Sequence, residues 1–209
     1  MIRKQSGFLS GTPYIISLSF LRNIPSTLLA PIFPLFINTL VSKEAYVGYI
    51  FTISSFIFLI SNFLVARLLQ KIDKILLLKI SSFVSAVSYF LLTIISNIYQ
   101  FVLLEIFRLI ALSAGFIILM LFIREYSSRR TINRNEGLYF TTANIAWMIG
   151  PLIGGIIAQQ YNFKTLFIIS ALFPLIIFFM ISLKPVKHKS VEITNDSTWV
   201  GIKAFFKAK

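Results

Sequence analysis

The sequence of 209 residues contains no cysteine. Disulfides and thiolate metal sites are therefore excluded. A single histidine, His188, sits in a polar tail with no partner at ligand spacing, so no metal site is expected. Acidic residues number only 7, and Glu105 alone lies deep in an apolar run. Enzyme chemistry needs clustered acid, base or nucleophile groups. No nucleophile–base pair and no phosphate-binding glycine loop can be read here, so neither enzyme nor cofactor is expected. Charged residues make up 13%, about half the share of a soluble domain.

What the chain has in excess is apolar length. Hydrophobic residues reach 57%, and mean hydropathy is +0.85. Several runs attain the roughly 20 residues needed to cross a bilayer as helix. Six spans are predicted, at 12–40, 46–69, 75–97, 100–124, 137–160 and 163–183. The positions of the 20 Lys and Arg then set a topology. The N-terminus carries Arg3 and Lys4; the second connection carries Arg67, Lys71, Lys74 and Lys79. The fourth connection carries Arg124, Arg129, Arg130 and Arg134, and six more lysines lie from Lys184 onward. The first, third and fifth connections hold only Lys43 and Lys164. By the positive-inside rule both termini are expected to be cytoplasmic. Topology and anionic membrane lipid account for the net charge of +13 without a nucleic-acid partner. The first apolar run continues to about residue 40, too long for a signal peptide, and is expected to be a retained helix.

The polar residues inside spans are few. Pro25, Pro31 and Pro34 interrupt the first span, and Arg22 and Asn23 lie about 15 Å into it at helical rise. An arginine at that depth costs at least ~2.5 kcal/mol, so it should face a wet cavity or a carboxylate. The alternative is a stem that snorkels to the surface. Ser54, Ser55, Ser61 and Asn62 in the second span, and Ser81, Ser85 and Ser88 in the third, read as packing seams. Glu105 and Arg108 in the fourth span are three apart and share a face. They are either an ion pair that fixes helix orientation or a tunable proton carrier with its regulator. Glu136 is placed to cap or pair at the start of the fifth helix.

The stretch from Gly137 to Gly155 organises the rest. Ala146, Gly150 and Gly154 fall four apart on one helix face, where small residues let two membrane helices approach closely. Pro151 removes a backbone donor and should bend the helix. The stretch reads either as simple bundle packing or as a helix that also gates. Asn144 and Trp147 are its polar-capable members. Residues 1–185 form the predicted bundle, and 186–209 a cytoplasmic tail or linker. In that tail Trp199, Ile202, Phe205 and Phe206 would share one side of a short surface helix, the alternative being a disordered tail.

These residues resemble the N-terminal half of a major facilitator superfamily transporter, over roughly residues 10–185. The fifth-helix pattern of that family's proton-coupled antiporters is matched by Gly137, Gly150-Pro151 and Gly154-Gly155, with Ala146 where a second glycine belongs. Arg108 is similar to the family's fourth-helix arginine, with Leu112 at a usual glycine position. The loop Arg67, Gln70, Lys71, Asp73, Lys74 matches the cytoplasmic gate loop in place and basicity. Gln70 stands there for an aspartate and Asp73 for a glycine.

The resemblance implies an all-α integral membrane protein, with six transmembrane helices forming one half bundle in the cell membrane. Its implied partner is a second six-helix half, supplied by a separate chain or a second copy. The separate chain is the expectation here, since the tail resembles the start of a linker helix; a lone half would also leave Arg22 and Arg108 facing lipid. It further implies secondary transport by alternating access, exporting a small solute against protons. Arg22, Asn23, Glu105, Arg108 and Asn144 are the cavity or proton-coupling candidates. The alternative is a non-transporting scaffold or inactive half that binds another membrane protein.

Overall fold

The computed structural model describes residues 11–41 and 43–184. The tail helix expected after residue 185, His188 and the N-terminal cations Arg3 and Lys4 lie outside the described residues. Seven helices follow one another: α1 (Thr12–Leu29), α2 (Ile32–Leu40), α3 (Ala45–Leu68), α4 (Lys74–Leu91), α5 (Ile98–Tyr126), α6 (Ile132–Gln160) and α7 (Phe163–Leu183). The described residues contain no strand. Among the described residues five helices are long and apolar enough to cross a membrane; α1 and α2, bent by 50°, are together apolar and long enough for a broken span or a re-entrant loop.

The bend has a chemical cause. Pro31 and Pro34 lack the N–H groups that would bond to Thr27 and Ala30, so the helix ladder fails at this point. Pro25 is accommodated within α1. The third span ends at Leu91, six residues short of the predicted end. Thr93 and Ile94 donate to carbonyls only three residues back, which tightens and stops the turn. Asn97 then caps α5 by accepting from the Gln100 N–H at 3.0 Å, and the Gln100 side chain accepts from the Ser96 N–H at 2.9 Å. These reciprocal bonds are a variant of the capping box.

The fifth span starts at Ile132, five residues early, so most of the basic loop is helix. Only 127–131 connects α5 to α6. Ser128 and Thr131 close that turn through a hydroxyl contact of 3.0 Å. Apolar length marks the candidate spans, while polar helix ends continue beyond them.

The interior has two apolar clusters. One contains Leu18, Leu78, Ile118, Phe122 and Ile181. The other is aromatic, with Phe33, Phe36, Phe101 and Phe167; the Phe36 and Phe167 rings are 4.9 Å apart, edge to face. Along α1, α4 and α5 the polar residues fall between these clusters: Ser19 and Arg22, Ser81 to Ser85, and Glu105 and Arg108. The centre of the bundle is therefore a polar layer between two apolar ones. α1 packs on α5, α6 and α7, and α4 on α5 and α7. α3 and α6 remain the outer helices, with only 11% and 17% of their most apolar windows buried.

Candidate functional site

The central pair is built by one helix. Glu105 and Arg108 stand one turn apart on α5, and both are buried. Arg108 donates from Nε to Glu105 Oε2 at 2.7 Å and from Nη2 to Glu105 Oε1 at 2.5 Å. This two-pronged geometry satisfies both carboxylate oxygens, which a lysine could not do. Tyr89 of α4 accepts from Arg108 Nη1 at 3.4 Å, and the guanidinium lies 4.8 Å from the Phe33 ring centroid. A cation over an aromatic face is attracted by the ring quadrupole. Two charges thus sit inside the half bundle with every strong demand met by its own residues.

Arg22 is held differently. Its Nη2 donates to the main-chain carbonyl of Leu112 on α5. Gly115 provides the space, because a Cβ there would come within 2.5 Å of Arg22 Nε. Among the described residues no carboxylate pairs with Arg22. Asn23 donates to its own helix, at Ser19 O, 2.8 Å away. Both arginines therefore point into the half bundle. The expectation that a lone half leaves them facing lipid is corrected: Arg108 is buried and Arg22 half-buried.

The small face of α6 meets α1. Ala146, Gly150 and Gly154 are buried, while the neighbours Trp147, Met148 and Leu152 are exposed. A Cβ on Gly150 would collide with Thr27, and one on Gly154 with the main-chain oxygen of Leu28. Gly137 and Gly155 have open space where a Cβ would stand, so they take no part in this seam. Helix α6 runs unbroken through Pro151. Asn144 is exposed on α6 and joins neither Arg22 nor Arg108.

The loop between α3 and α4 is a helix start. Asp73 caps α4, accepting from the N–H groups of Ile75 at 2.8 Å and Leu76 at 3.1 Å. That cap gives its carboxylate a local structural task where the family pattern has a glycine. Lys74 pairs with Glu125 at the end of α5, and Arg124 pairs with Glu136 of α6 at 2.9 Å. Arg67, Gln70 and Lys71 are exposed. Tyr89, Phe33, Thr27 and Glu125 escaped the sequence reading. Only Tyr89 left a trace, one turn beyond Ser85 on the α4 polar stripe.

A bundle of apolar helices around a buried charged layer defines a polytopic membrane protein of the transporter class. The Major Facilitator Superfamily profile matches residues 15–209, and the chain belongs to that superfamily. A comparison with curated proteins finds no match.

Proposed function

We propose that this membrane transporter chain forms one half of a proton-coupled exporter, in which Glu105 carries the proton and Arg108 controls its affinity. The observation that carries this reading is the buried pair itself, a carboxylate and a guanidinium joined by two hydrogen bonds within the membrane layer. Protonating Glu105 would cancel its charge and loosen its hold on Arg108, so proton binding and side-chain arrangement would be coupled. Export and exchange rest on likeness to the antiporter fifth-helix pattern. The Ala146–Gly150–Gly154 face lets α6 lie directly on α1, which bears Arg22.

A second six-helix half would cover α3 and α6, and a second copy of this chain suffices. Arg108 is paired within one half and Arg22 is anchored there on a main-chain carbonyl, so each half can stand before it pairs. Arg22 and Asn23 would act from the wall of the cavity, and Asn144 from its outer face. The basic connections would lie on the cytoplasmic side of the cell membrane.

The test is proton flux into proteoliposomes under an imposed pH gradient. Wild-type protein is expected to carry flux, and Glu105→Gln to abolish it while remaining folded. Undiminished flux in Glu105→Gln would rule out Glu105 as the carrier.

A further inference from the structure

A partly open cavity with about 20 Å³ of space lies among α1, α4, α5 and α7. It is bordered by Arg22, Ser85, Tyr89, Leu112 and Gly115, with Ser81 and Ser82 at one side. Space of this size holds a single water-sized particle. Sulfate and carboxylate-bearing solutes are larger than that space.

Most of the lining is apolar, and its free donors are on Arg22, Ser85 and Tyr89. Arg22 has five N–H groups, of which one bonds to Leu112 O. Ser85 is buried, 7% exposed, and its hydroxyl has no protein partner among the described residues. Tyr89 Oη already accepts from Arg108, so its own proton is free to donate. Ser81 and Ser82 donate to Leu78 O at 2.9 and 2.8 Å, which leaves only their oxygens for a guest. A water could use those oxygens as weak acceptors. Charge decides against it: water leaves the Arg22 cation uncompensated in the membrane layer, whereas an anion cancels it.

We propose that this cavity is a binding site for one small monovalent anion, of halide size, held by Arg22, Ser85 and Tyr89. The site lies within one half, beside the Glu105–Arg108 pair, and Tyr89 touches both. It does not depend on the transport reading. Gly115 is part of it, since any side chain there would push the Arg22 guanidinium away.

The experiment is thermal unfolding of the purified protein in zwitterionic nanodiscs, with chloride replaced by gluconate at constant ionic strength. Chloride and bromide are expected to raise the melting temperature saturably, and sulfate to give no saturable rise. Arg22→Gln should flatten the chloride response. Ser85→Ala loses one hydrogen bond to an ion and should need about tenfold more chloride for the same rise. Equal melting temperatures in chloride and gluconate would mean the cavity holds only water and would overturn the site. So would a saturable response unchanged by Arg22→Gln. If Arg22→Gln does not fold, Ser85→Ala decides, and an unshifted chloride midpoint in that variant overturns the proposal.

Discussion

Arg108 shows how a charge is kept inside an apolar bundle. Its carboxylate partner lies one turn away, and aromatic rings of α2 and α4 complete its surroundings. Removing one partner of such a pair strands the other, which costs about 3–5 kcal/mol, while removing both is far closer to neutral. Glu105→Leu is therefore expected to destabilise strongly, and Glu105→Leu with Arg108→Leu to recover most of that loss. Denaturant unfolding of the two variants checks this. A double variant no more stable than the single one would show that the pair is not a closed unit. This pairing was legible in sequence, because residues three apart on a helix must meet. The partner of Arg22 was not. It is a main-chain carbonyl 90 residues away, reached only because Gly115 leaves room. Main-chain acceptors leave no mark in a sequence.

At the scale of elements, the seam between α1 and α6 depends on two glycines that touch α1. Gly154 faces the Leu28 carbonyl, which cannot move aside, whereas the adjacent Gly155 faces open space. Gly154→Ala should cost about 1–3 kcal/mol, as overpacking does. Gly155→Ala should be neutral or slightly stabilising, since alanine favours helix by up to about 1 kcal/mol. Thermal unfolding of the two variants side by side gives the answer, and equal losses would refute the packing described. The ion pairs at the helix ends are different in kind. Lys74 and Glu125 keep 16% and 25% of their side-chain surface exposed, so Glu125→Gln should cost under about 1 kcal/mol. The four-residue spacing on α6 could be read from the sequence, because its period matches the helix. The end of α4 and the start of α6 could not be read from hydropathy. The tight turn bonds of Thr93 and Ile94 and the Ser128–Thr131 turn set those boundaries, and hydropathy does not register them.

On the scale of the whole molecule, the absence of cysteine makes orientation easy to test. A single cysteine placed in 127–131 should react with an impermeant maleimide only from the cytoplasmic side. One placed at Lys164 should react only from the outside. Reversed labelling would invert the expected topology. α3 and α6 leave broad apolar faces exposed. If two halves enclose the transport path, activity belongs to a pair of bundles. The most direct test is proton flux in vesicles as the protein-to-lipid ratio is lowered to less than one chain per vesicle. The account predicts that the fraction of active vesicles falls with the square of the protein density. A fall in simple proportion would mean that one bundle suffices, and would contradict the half-transporter account.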